Sequence, residues 1–141
     1  MSALTFTVRG IPAPKGSLRH VGHGRMIEQI TATKPWMDKV RDAALDSAQL
    51  AGWVAPAAVS VDVLIVVPRP KTVRRSYPIT RSSGDLDKHC RAVLDALSED
   101  RRHGRAGVLP DDSTVIDLSA SKRYPSVGLS VGAVITIREA S

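Results

Sequence analysis

Ala57-Ala58-Val59-Ser60-Val61-Asp62-Val63-Leu64-Ile65-Val66-Val67 is the stretch whose reading decides the fold. It alternates apolar and polar residues at first, the period of a strand with one buried face, and then turns apolar on both faces. A strand buried on both sides near its end belongs in a sheet interior with other elements packed over it. Pro68 cannot donate to a ladder and stops it.

Upstream, Leu4-Thr5-Phe6-Thr7-Val8-Arg9 alternates in the same way and predicts a half-buried strand ending at Gly10. Residues 11–19 are turn-rich and basic, with Pro12 and Pro14 restricting the backbone so that Lys15 and Arg19 are presented near the sheet, as a solvated connector or as a grip. Arg25-Met26-Ile27 allows a short second strand of a hairpin. His20 and His23 have an H-x-x-H spacing, but with one distant cysteine they make a poor zinc set. Thr33-Lys34-Pro35-Trp36 predicts a helix start, with Pro35 in the first turn where its missing N–H costs nothing, and the helix runs to about Leu50 before Gly52. Trp36, Val40, Ala43, Ala44 and Ser47 make the face for the sheet, while Asp38, Lys39, Arg41, Asp42 and Asp46 make the solvated one.

Downstream, residues 68–83 hold Arg69, Lys71, Arg74, Arg75 and Arg81 among three prolines and Tyr77, with almost no apolar periodicity, which predicts an exposed, flexible basic arm. The arm leads into Gly84-Asp85-Leu86-Asp87-Lys88-His89-Cys90-Arg91, whose continuation places Cys90, Val93, Leu94 and Leu97 on one face of a helix. If Asp85 and Asp87 are extended, their side chains point the same way and repel, by roughly 3 kcal/mol at about 5 Å and an effective dielectric of about 20, so a cation must offset them. The plain alternative is an Asp N-cap with a second Asp suited to the helix dipole. A further pair, Asp111-Asp112, precedes a strand-like run and tips the balance toward acids converging on a hard divalent cation such as Mg²⁺, which takes oxygen ligands. Residues 98–109 form a second basic loop with Arg101, Arg102, His103 and Arg105. Residues 113–121 and 129–138 read as two strands in an antiparallel hairpin. The order β, possible β, α, β, α, β, β predicts an α+β domain with one mixed sheet and two packed helices.

The 141 residues are expected to form one domain, 1–141. No apolar run approaches the roughly 20 residues of a membrane span, and the first residues lack the basic and apolar regions of a secretion signal. With Cys90 as the single cysteine, a cytoplasmic setting is expected. Twenty basic against fourteen acidic residues, net +6, point to a polyanionic partner. Basic residues beside an acidic site would let a phosphodiester approach it.

Asp85-Leu86-Asp87, the helix carrying Asp95-Ala96-Leu97, Asp111-Asp112 before a strand, Lys122 at that strand's end and the opening Gly10-Ile11-Pro12-Ala13-Pro14-Lys15-Gly16 together resemble the RusA-type Holliday junction resolvases over most of the chain. The resemblance implies a homodimeric, Mg²⁺-dependent endodeoxyribonuclease (Mn²⁺ substituting) of a bacterium, phage or prophage that resolves four-way junctions by paired nicks in recombination and repair. It implies that Asp85, Asp87 and Asp112 are the essential acids, with Asp111 adjacent. The basic residues Lys15, Arg19, Arg69, Lys71, Arg74, Arg75, Arg81, Lys88 and Lys122 are expected to face the DNA backbone. Two positions depart from the family pattern, Lys88 where Asn is usual and Arg91 where Lys is usual. Arg91 keeps the charge to stabilise a phosphate but is a poor proton donor. A non-catalytic nucleic-acid-binding module, or a nuclease for another branched DNA or RNA, is the alternative.

Overall fold

The computed structural model describes residues 3–16 and 23–141, without the side chains of 23–31. Arg19 and His20 lie outside the described residues, as does the side chain of His23. The elements are β1 (Leu4–Arg9), α1 (His23–Ala51), β2 (Val59–Val66), α2 (Leu86–Leu97), β3 (Val115–Arg123) and β4 (Gly132–Glu139). Among the described residues the strands form one sheet in the order β1-β4-β2-β3. β4 is antiparallel to both β1 and β2, whereas β2 and β3 are parallel. One mixed sheet carrying two helices is the α+β architecture expected.

Three expectations are corrected. Residues 25–27, allowed as a strand, lie inside α1, which starts ten residues before Thr33 and keeps Pro35 in its interior. A proline there forfeits a backbone bond and crowds the preceding turn; the turns after it compensate by burying Trp36, Val40 and Ala44. β3 and β4 form no hairpin, because β2 lies between them. β4 supplies the buried Ala133, Ile135 and Ile137 and takes an interior place, while β3, rich in Asp, Ser and Lys, is exposed along most of its length and forms an edge.

The register builds the core in rows across the sheet. Leu4, Ile137 and Val61 form one row, Phe6, Ile135 and Val63 the next, and Val8, Ala133 and Ile65 the third. All nine are buried, under Trp36, Val40 and Ala44 of α1 and Ala92, Val93, Ala96 and Leu97 of α2. The opposite face carries Thr5, bonded to Thr136 through their hydroxyls, and Asp62, paired with Arg138 at 2.6 Å. The third row continues onto β3 at Lys122, the partner of Ile65. That register turns the Lys122 side chain toward the helix-covered face.

Arg41 is the third correction: it is not solvated but only 6% exposed. Its guanidinium donates to the carbonyls of Ser98 (2.7 Å), Ala106 (2.8 Å) and Asp95 (3.1 Å), tying the C-terminal end of α2 and the loop after it to α1. Burial, and then the neighbouring Arg105, pulls its pKa below the ordinary arginine value. No helix among the described residues is long and apolar enough to cross a membrane. Arg41→Met leaves three carbonyls without their donor and is expected to cost about 3 kcal/mol in denaturant unfolding. A loss below about 0.5 kcal/mol, the scale of an ordinary surface change, contradicts the clamp.

Candidate active site

Parallel strands need a crossover, and α2 supplies it between β2 and β3. The chain leaves β2 through the basic arm, makes a single 3-10 turn at Arg81–Ser83, and enters α2 through Gly84 and Asp85. Gly84 has φ +82, and a Cβ there would lie 2.7 Å from His89 Nε2 and 2.9 Å from Pro14 Cγ. Only glycine fits that conformation and that space.

Asp85 occupies the N-cap position in an extended conformation, yet its side chain makes no capping bond. Its carboxylate is exposed and stands 3.4 Å from Lys88 Nζ. Capping is therefore not what this side chain does. Asp87 is the second residue of α2, exposed, and forms no ion pair among the described residues. Because it is helical, the alternation of an extended segment does not aim it with Asp85, which corrects the side-by-side expectation. Arg91 lies one turn beyond Asp87 and is likewise exposed.

The other acidic pair behaves differently. Asp111 accepts a bond from the Ser113 N–H at 3.1 Å and so caps the short turn Asp112–Thr114. The Ser113 side chain, and then the Ser113 N–H, hold its carboxyl below the usual range. Asp112 is exposed. The pair follows Leu109, whose N–H bonds the Leu97 carbonyl at the C-terminal end of α2. β3 then runs back along β2 until Lys122 reaches the turn before Asp85. Asp85 and Asp112 are thus at opposite ends of α2, a helix of 12 residues and about 18 Å. Among the described residues no three His, Cys, Asp or Glu side chains are grouped so as to hold a metal ion. The convergence of Asp112 with Asp85 and Asp87 does not occur within one chain.

The cations fall into two sets. Lysine 15 is docked on α2, its N–H bonded to the Lys88 carbonyl at 3.0 Å and its ammonium paired with Asp95. Lys122 donates to Ser83 Oγ at 2.9 Å and to the Gly84 carbonyl at 2.5 Å. In the 98–109 loop, Arg105 pairs with Asp38 at 2.5 Å and His103 with Asp100 at 2.9 Å, so much of that loop's charge is balanced internally. The arm keeps its charge outward, with Lys71, Arg74, Arg75 and Arg81 exposed. Two stacked pairs tie it to the end of β3: Arg69 over the Tyr124 ring at 5.5 Å and Arg123 over the Tyr77 ring at 5.6 Å. Arg69 also donates to the carbonyls of Val73 and Arg75.

Sequence reasoning passed over His89 and Ser83. His89 is fully buried and its Nε2 lies 2.7 Å from the Ser83 carbonyl, while Nδ1 has no partner among the described residues. A carbonyl only accepts, so Nε2 carries the proton. The signal was present in the spacing of His89, Val93 and Ala96, which extends the buried stripe of α2 by one turn. Cys90 is buried, with its thiol pushed up by burial and then by Asp87, and is a packing residue.

Burial pushes the His89 pKa down, against the Ser83 bond that raises it. The unfolded ring takes a proton near about 6.5 while the folded ring resists it, so stability is full above that value and falls as pH drops through it. The thermal midpoint of the wild type is expected to decline between about pH 7 and 5, and His89→Gln to lose part of that decline. Coincident pH profiles for the two proteins contradict the buried neutral histidine.

Comparison with known proteins finds no family model that matches the chain and no curated protein that matches it.

Proposed function

We propose that this protein is an Mg²⁺-dependent endodeoxyribonuclease that nicks branched DNA, four-way junctions above all, as a two-fold dimer in the cytoplasm of a bacterial cell. The observation that carries the reading is Asp85, an exposed carboxylate in a capping position that does no capping, beside an arm of outward-facing cations. Its one partner on the helix is Lys88 at 3.4 Å, an exposed pair of small worth, and a divalent cation would hold that carboxylate more firmly. The order of the acidic and basic motifs, which resembles the RusA-type resolvases, points the same way.

Asp85 and Asp87 are hard oxygen donors of the kind Mg²⁺ takes, and that ion completes its shell with water and phosphate oxygens. Bound there, it would polarise a phosphodiester and lower the pKa of a water. Lys71, Arg74, Arg75 and Arg81 bind the backbone electrostatically and bring it over the start of α2. Arg91 supplies a fixed positive charge against the charge developing at phosphorus. Asp112 cannot join Asp85 within its own chain, so the reading assigns it to the site of a second copy. A four-way junction has approximate two-fold symmetry, and a dimer of matching symmetry presents two equivalent sites.

Cleavage of a labelled four-way junction, with linear duplex of the same sequence as control, tests this. Wild type with Mg²⁺ is expected to make paired nicks, and Asp87→Asn and Asp112→Asn to bind the junction without cutting it. Mixed dimers of these two variants are expected to recover nicking at one strand, since one of their two sites then holds no substitution. Full nicking by Asp87→Asn overturns the placing of the site at the start of α2, and a wild type that binds the junction without nicking it leaves a basic nucleic-acid-binding module. Mixed dimers as inactive as their parents overturn the sharing of Asp112.

A further inference from the structure

Lys122 has the position and charge of a DNA contact, but its ammonium is directed inward. The pairing of Lys122 with Ile65 turns its side chain under the start of α2, where two of its three N–H donors are taken by Ser83 Oγ and the Gly84 carbonyl. The Ser83 carbonyl is in turn held by His89 Nε2, and the Ser83 hydroxyl is directed at the carbonyls of Pro78 (3.0 Å) and Thr80 (2.6 Å) in the arm. Gly84 is enclosed by His89 and Pro14. The two residues before Asp85 are therefore fixed from β3, from α2, from the N-terminal loop and from the basic arm at once.

We infer that Lys122 is a positioning residue that, through Ser83 and Gly84, sets where the Asp85 carboxylate stands relative to the cations of the arm. The inference rests on the nuclease reading for its consequence, though not for its geometry. A helix normally fixes its first residue through the N-cap side-chain bond. Asp85 does not make that bond, so the Lys122 and His89 contacts replace it and leave the carboxylate exposed, with Lys88 at 3.4 Å as its ion-pair partner. Ser83 belongs to both halves of the arrangement, since the hydroxyl that receives Lys122 also closes the turn at the end of the arm.

The test compares wild type with Lys122→Met, Ser83→Ala and the double variant. Each is measured for junction affinity across salt concentrations and for the rate of nicking at saturating protein. Amide hydrogen exchange of residues 83–89 is followed without DNA or metal. Displacement of a reacting group by about 1 Å can cost on the order of 10²-fold in rate. Lys122→Met is expected to slow nicking on that scale with affinity within about twofold, and the double variant to be no slower than Lys122→Met, as expected for partners in one network. Exchange over residues 83–89 is expected to quicken while the global unfolding midpoint holds. A phosphate contact predicts instead weaker binding and a salt slope reduced by about one; that outcome, additive rates, or unchanged exchange overturns the inference. If wild type does not nick, the nuclease reading fails, and the exchange measurement still decides whether Lys122 holds the turn.

Discussion

Parallel pairing of β2 with β3 is the constraint from which the rest of the arrangement follows. Two parallel neighbours cannot be joined by a tight turn, so the chain must travel from the end of one to the start of the other. α2 makes that journey, running back against the strands it connects, and its two ends are thereby assigned to opposite ends of those strands. The arm and the first acidic pair go to the end of the sheet where β2 finishes, and the second acidic pair to the end where β3 begins. β4 then has to reach the far side of β2, where it gains a buried neighbour on each flank.

The rows of side chains across the sheet carry this topology into the site. Val8, Ala133 and Ile65 are buried together, and the next position on β3 is Lys122. An ammonium beside an apolar row must find acceptors, and those it finds are Ser83 and Gly84 immediately before Asp85. At the other end of α2, Arg41 does the corresponding work for the carbonyls of Asp95, Ser98 and Ala106. Buried Arg41 at one end of the crossover helix and half-buried Lys122 at the other hold it in place, while Asp85, Asp87 and Asp112 remain exposed.

Much of this was legible in the residues. β1 follows from strict alternation, β2 from alternation that passes into an apolar run, the end of α1 from Gly52, and the buried stripe of α2 from Cys90, Val93 and Leu97. Residues 25–27 misled because three residues carry no period, and Pro35 misled because a proline that opens most helices here lies within one. The supposed hairpin failed because adjacency in sequence predicts pairing only when no earlier strand competes for the place; β2, the most apolar strand, took the position between β3 and β4. Arg41 and Lys122 looked like surface cations because charge is the visible property of the residue. What decides where they point is a set of backbone carbonyls and one hydroxyl from distant segments, which no local pattern displays.

The central claim is that the exposed carboxylates at the start of α2 hold a divalent cation beside the basic arm. Titration of the full-length protein with Mn²⁺, read as paramagnetic broadening of individual backbone amide signals, tests it most directly. The account predicts that the amides of residues 84–88 broaden first, that excess Mg²⁺ restores them, and that Asp85→Asn and Asp87→Asn each weaken the effect. Broadening spread evenly over the acidic surface, or centred on another segment and indifferent to these substitutions, would contradict it.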